Sequence, residues 1–143
     1  MLDYIKNRLE KYGGERITFE ILESEDIDDY GVVEAFILFV KKYGCKVAID
    51  DFGSGYSNFT NILRLHIDYI KLDGSLITQL NKDENINNMV KGIIQYAKQA
   101  DIRTIAEFVS TEELAVLIKE YGVDFSQGYY YGEPQDPKYY GLT

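Results

Sequence analysis

Apolar residues recur along this chain in two alternating rhythms. One has helical spacing, as in Leu2, Ile5 and Leu9, and again in Val32, Val33, Phe36, Ile37 and Val40. The other is a short continuous run between turn residues, as in Val47, Ala48 and Ile49. That run is the pattern of a strand buried on both faces. Taken in order, the chain predicts a helix over 2–12 stopped by Gly13 and Gly14, then a strand over 16–22. A helix follows over 26–43, with Gly44 at its C-terminal cap, and then a strand from Lys46 that ends in Asp50 and Asp51. A short helix over 57–65, capped by Ser57 or Asn58, leads to a strand over 68–73. The helix over 84–100 carries Ile86, Met89, Val90, Ile93, Ile94 and Ala97 at 3.6-residue spacing. A strand over 103–106 ends in Glu107. Ser110, as N-cap of a capping box with Glu113, opens the next helix; Gly122 closes it, and a last strand covers 123–126.

Strand and helix alternate throughout, and no hairpin signal interrupts them. The prediction is an α/β fold of parallel strands joined by crossover helices. Each strand delivers polar residues at or near its C-terminal end: Glu20, then Asp50 and Asp51, then Lys71, then Glu107, then Gln127. In a (β/α)₈ TIM barrel those ends converge on one mouth. In a doubly wound sheet they would line a crevice. About five strands are legible in 143 residues, whereas a whole barrel takes roughly 250. The chain therefore reads as a single partial domain over 1–143, the C-terminal part of a parallel barrel.

Composition narrows the function classes. The chain is 45% hydrophobic and 27% charged, so it folds rather than staying disordered. Its net charge of −9, without a basic run, argues against a nucleic-acid polymer held by phosphate neutralisation. It leaves room for a small phosphate ligand held through a metal. The single Cys45 cannot form an internal disulfide, which points to a reducing compartment, the cytoplasm. No apolar run in the chain is long enough to span a membrane.

Two adjacent acids followed by a glycine-spaced turn repel each other unless a cation lies between them. Their oxygens suit a hard divalent ion, Mg²⁺ first. An Asp-Asp pair alone also serves as a helix cap with a solvated neighbour. What alters that reading is Glu20, set inside an apolar strand, and Glu107, at the end of another. Four carboxylates can share two ions that activate water for attack on a phosphoryl group. Lys71 then either orients the water or neutralises the acids. A Schiff-base role is disfavoured, because acidic neighbours raise a lysine pKa. Glu23 and Asp73 are supporting candidates. His66, the only histidine, reads as packing or solvent-facing. Tyr129, Tyr130 and Tyr131 could stack a base, or simply pack the barrel rim.

Five segments together resemble the EAL-domain cyclic di-GMP phosphodiesterases. They are Glu20-Ile-Leu-Glu23, Asp50-Asp51-Phe-Gly-Ser-Gly-Tyr-Ser57, Ile70-Lys-Leu-Asp73, Ile105-Ala-Glu107 and Gln127-Gly-Tyr129. The resemblance implies hydrolysis of cyclic di-GMP to the linear dinucleotide at a barrel mouth, with Mg²⁺ or Mn²⁺, two ions in a complete site. It implies Glu20 and Asp50 as ligands of one ion, with Asp50 bridging to a second held by Asp51 and Glu107. Lys71 would position the water, Glu107 would also act as base, Gln127 would line the site, and Glu23 would brace the loop after the aspartates. Two departures stand out. The chain lacks the family's N-terminal Glu-Ala-Leu strand region and the Asn that follows, so it is expected to be inactive alone. It also carries Glu107-Phe-Val-Ser110 where the family usually has Glu-Gly-Val-Glu. The alternative is therefore a degenerate module, a cyclic di-GMP receptor or a dimerising interaction domain. A homodimer, or pairing with the missing N-terminal half, would cover the open barrel edges.

Overall fold

The structure of the protein is a computed structural model, described over residues 1–22, 29–53, 62 and 64–142. Helix α1 spans Leu2–Tyr12, strand β1 Thr18–Leu22, α2 Tyr30–Lys41 and β2 Lys46–Phe52. Then follow β3 (Tyr69–Leu72), α3 (Gly74–Ile77), α4 (Glu84–Gln99), β4 (Arg103–Ala106), α5 (Glu112–Tyr121) and β5 (Phe125–Ser126). A 3₁₀ turn over Pro137–Tyr140 ends the described chain.

The five strands form one sheet in the order β1-β2-β3-β4-β5, and every pairing is parallel. Strand order that follows chain order, without reversal, is that of a barrel wall rather than a doubly wound sheet. The helices cover one face. Val47, Ile49, Ile70 and Leu72 from the strands meet Ile37 and Val40 of α2 and Val90, Ile93, Ile94 and Ala97 of α4 in one buried core. Phe19 of β1 packs edge-on against Phe36 of α2, with ring centres 5.4 Å apart. The period-two alternation of strands sends the intervening residues to the other, concave face. Thr18, Glu20, Ala48, Tyr69, Lys71, Ile105, Phe125 and Gln127 line it.

The predicted elements are found with shifts at their ends, apart from the helix over 57–65, which lies largely outside the described residues. Helix α2 begins at Tyr30, not at 26, because Asp29 is extended (φ −137°) and its carboxylate caps Gly31 N and Val32 N. Ser110 is not the N-cap of α5. Thr111 takes that position, and its Oγ1 accepts from Leu114 N at 3.2 Å. The third helical residue is then Leu114, which has no side-chain acceptor to complete a capping box. Helix α3 was not legible, since four residues carry no periodicity. The expected cap at Ser57 or Asn58 lies outside the described residues. Among the described residues no helix is long and apolar enough to cross a membrane.

The end of the sheet opposite the acids is fastened by two aspartates in equivalent places. Asp68, just before β3, accepts from Val47 N at 2.8 Å and ion-pairs with Lys41 at 3.1 Å. Asp124, just before β5, accepts from Thr104 N at 2.8 Å. Each joins the start of its strand to the strand before it. Asp68→Ala leaves the buried Val47 N–H without this acceptor, which costs about 2 kcal/mol. Urea denaturation should show a lower midpoint with an unchanged slope. A loss below about 0.5 kcal/mol, the range of ordinary surface substitutions, would contradict this role.

Candidate active site

On the concave face each strand presents a mostly apolar residue before a polar one. Ala48, Tyr69, Ile105 and Phe125 come first. Two residues on along each strand, the same face presents Asp50, Lys71, Glu107 and Gln127. Glu20 of β1 lines the same face. Strand periodicity thus gathers residues that lie far apart in sequence.

Asp50 and Asp51 pose a geometric problem, because successive strand residues point to opposite faces. The structure resolves it with an irregularity in the β2–β3 register between Ile49 and Phe52, where Asp51 adopts φ +55°. One residue is absorbed there, Phe52 returns to the core, and both carboxylates stay on the same side. Asp50 Oδ1 accepts from Asp51 N at 2.9 Å. Asp50, Asp51 and Glu107 each offer a carboxylate oxygen, all within 4.8 Å of one another.

Lys71 stands against this group. Its Nζ lies 2.9 Å from Glu20 Oε1, 3.1 Å from Glu107 Oε1 and 3.3 Å from Asp50 Oδ1. The side chains of Lys71 and Glu107 are 9% and 8% exposed, whereas that of Glu20 is 48% exposed. Burial alone would lower the lysine pKa. Hydrogen bonds to Glu20 and Glu107, with the charges of Glu107 and Asp50, outweigh it and hold the ammonium above the usual lysine range. Lys71 is therefore a permanent cation, and a nucleophilic amine role has no support.

The acids are strained in the opposite sense. Burial raises Glu107, helped by the charges of Asp50 and Asp51 and against the pull of Lys71. Burial likewise raises Asp51, helped by Asp50, Asp73 and Glu20. One lysine does not neutralise this many crowded carboxylates. A cation among them would offset the remaining repulsion, so the donor set fits a hard divalent ion.

The other sequence candidates fall in different places. Gln127 Nε2 donates to Glu107 Oε1 at 3.2 Å, and Glu107 Oε2 has no hydrogen-bond partner among the described residues. Asp73 caps α3 through Ser75 N at 2.8 Å and stands outside the compact acidic group. Glu20 reaches the group through Lys71. Glu23 lies outside the described residues. His66 is exposed, and its backbone carbonyl accepts from Lys41 Nζ at 3.0 Å. Tyr130 and Tyr131 pack edge to face on each other at 5.0 Å, and Ser126 Oγ donates to Tyr131 Oη at 2.6 Å.

A family model described as the EAL domain matches residues 1–134. The chain belongs to the EAL domain family. It is 35% identical over 121 residues to the cyclic di-GMP phosphodiesterase PdeA of Borreliella burgdorferi, covering 85% of this chain and 18% of that protein. The solved PaMucR phosphodiesterase in complex with c-di-GMP superposes with a TM-score of 0.88 at 25% identity, over 97% of this chain and 57% of that one. The c-di-GMP-bound standalone EAL protein from Vibrio cholerae gives 0.80 at 29% identity, over 94% and 56%. The EAL chain thus spans less than a fifth of the PdeA length and a little over half of these two structures.

Sequence reasoning marked Phe108 as a departure from the family's glycine, but it missed the backbone conformation there. Phe108 sits at φ +57°, where the resemblance placed a glycine, and is 66% exposed. Its ring lies so close to Gly74 that a Cβ there would collide with it. A positive-φ phenylalanine gives no signal in a single sequence, because only tertiary contacts compensate for its strain.

Proposed function

We propose that this chain carries most of the divalent-metal site of a cyclic di-GMP phosphodiesterase, which hydrolyses the cyclic dinucleotide to its linear form. The observation that carries the proposal is the Asp50–Asp51–Glu107 group facing a buried, permanently charged Lys71 on one concave face. Asp50, Asp51 and Glu107 would hold Mg²⁺ or Mn²⁺, with Glu20 contributing from the β1 side. When bound, such an ion lowers the pKa of water and offsets charge on a phosphoryl oxygen. Lys71 is a fixed donor to the attacking water or to a phosphate oxygen. Gln127 holds Glu107 through Oε1 and leaves Oε2 to hold the ion or to take the water's proton. Water adds at phosphorus, one P–O ester bond breaks, and the leaving oxygen gains a proton. The names of the PdeA, PaMucR and Vibrio proteins support the same substrate.

The proposal includes completion of the barrel. Eight strands close one, and β1 and β5 are the edges of the five described here. Beside β1 an apolar cavity of about 830 Å³, lined by Leu2, Ile5, Phe19, Ile21 and Phe36 among others, gives further strands or a second copy a place to pack. Turnover needs that completion.

The test is hydrolysis of cyclic di-GMP by the protein as its complete gene encodes it. We expect turnover that requires Mg²⁺ or Mn²⁺ and falls by about 10³-fold or more in Asp50→Ala. Turnover that survives chelation, or survives Asp50→Ala, would overturn the assignment. Tight binding without turnover would favour the receptor reading, which Phe108 and Ser110 support by departing from the family pattern.

A further inference from the structure

Helix α3 is only four residues long, yet it stands between the two segments that carry acids at the mouth. On one side Leu76 packs against Gly53, two residues after Asp51. A Cβ at Gly53 would run into the Leu76 side chain, whose Cγ would be 3.3 Å away. On the other side Gly74 receives the ring of Phe108, the residue after Glu107. A Cβ at Gly74 would lie 2.7 Å from Phe108 Cγ. Both glycines mark places where a side chain rests directly on backbone.

The helix is itself firmly anchored. Leu76 and Ile77 are buried in the core, as is Leu80 just beyond them. Asp73 Oδ2 accepts from Ser75 N at 2.8 Å, and Thr78 Oγ1 donates to Gly74 O at 2.8 Å. Backbone bonds tie the start of α3 to the same two segments. Asp73 N donates to Phe52 O at 3.2 Å, and Glu107 N donates to Leu72 O at 3.2 Å. The short helix therefore has fixed contacts to the chain just after Asp51 and to the chain at Glu107.

Asp51 and Glu107 need such a support. Their carboxylates and that of Asp50 offer oxygens within 4.8 Å of one another, and like charges at that range push apart. Asp51 also sits at φ +55°, a conformation that persists in a non-glycine residue only where its surroundings hold it. Leu76 has no polar group to offer an ion. What it supplies is a fixed wall against Gly53 that limits where the Asp51 segment can go.

We propose that α3 is a strut that sets the spacing of Asp51 and Glu107, and that Leu76 is a positioning residue for the divalent-ion site. The proposal rests on the metal-site reading and deepens it, since it names the packed residues that preorganise the ligands. Ligands already held in place lose less freedom when the ion arrives, and affinity rises accordingly.

The test is calorimetric titration of the protein, as its complete gene encodes it, with Mn²⁺. The binding that counts is the part that Asp50→Ala abolishes. Leu76→Ala should weaken that binding about tenfold, the scale on which residues that support metal ligands act. Leu76→Met, which nearly keeps the volume, should return it to within about threefold of the parent. Leu80→Ala removes the same atoms from the same core, but the side chains nearest Gly53 and Gly74 are those of Leu76 and Phe108. It should lower the thermal midpoint as Leu76→Ala does, yet leave the Mn²⁺ affinity within about twofold of the parent. Should Leu76→Ala not fold, Leu76→Val makes the same comparison, with an expected loss of about threefold. Unchanged affinity in the Leu76 variant, or an equal loss in Leu80→Ala, overturns the strut and leaves the metal site standing. Absence of Asp50-dependent Mn²⁺ binding in the parent sinks the metal-site reading and the strut with it.

Discussion

Replacing Lys71 by methionine should lower the thermal midpoint by roughly 10 °C in the presence of chelator. The reason is the company the ammonium keeps. It touches Glu20, Asp50 and Glu107 at 2.9, 3.3 and 3.1 Å, and two of those acids are largely buried. Methionine fills much of the same volume but leaves the acids unneutralised. Removing one partner from a buried ion pair costs about 3–5 kcal/mol. The half-exposed Glu20 adds little to this, because solvent screens its share. A net loss of about 3 kcal/mol corresponds to the stated shift for a chain of this length. The same logic sets a second readout. With Lys71 gone, the acidic group carries more uncompensated charge, so Mg²⁺ should raise the variant's midpoint more than the parent's. Differential scanning calorimetry with and without Mg²⁺ measures both. Equal midpoints for parent and variant would show that Lys71 does not hold the acids together.

Gly128→Ala should cost about 3 kcal/mol or more, and it should disturb the site as well as the fold. Gly128 has φ +154°, a conformation that side chains rarely adopt, and a Cβ there would run into the backbone nitrogen and oxygen of Val109. That close approach is needed because the strand-like pairing continues past β5. Val109 N donates to Gln127 O at 3.0 Å, and Tyr130 N donates to Val109 O at 3.1 Å. The two bonds bracket the glycine and hold Gln127 where it reaches Glu107. Adding a methyl group pushes this segment away and takes Gln127 with it. The expected result is a lower denaturation midpoint together with weaker Mg²⁺ stabilisation. Gln127→Ala, by contrast, should weaken the Mg²⁺ effect and leave the metal-free midpoint within about 1 kcal/mol of the parent. If Gly128→Ala were neutral in both readouts, the approach to Val109 would not be the constraint described here.

The alternation of helical and strand rhythm was enough to predict parallel strands and to place polar residues at their C-terminal ends. Both are properties of local periodicity, which a single sequence carries directly. Asp50, Asp51, Lys71, Glu107 and Gln127 could be picked out because charged and amide groups at the ends of apolar runs are hard to explain by packing alone.

Other features lay beyond that reading. Helix α3 is too short to show a period. The start of α5 turned on whether Ser110 or Thr111 would be extended, a choice that two adjacent hydroxyl residues leave open. The positive φ of Asp51 and of Phe108 belongs to residues that pay for it only through contacts elsewhere, the β2–β3 register in one case and Gly74 in the other.

By itself, then, the sequence determined the element types, the parallel order and the identity of the acids, because each of these follows from residue chemistry at short spacing. Only the tertiary structure decided that Asp50 and Asp51 share a side, that Lys71 is held between Glu20, Asp50 and Glu107, and that Phe108 turns its ring out over Gly74. Those outcomes depend on strand register and on close approaches between segments far apart in the chain, and no local pattern encodes either.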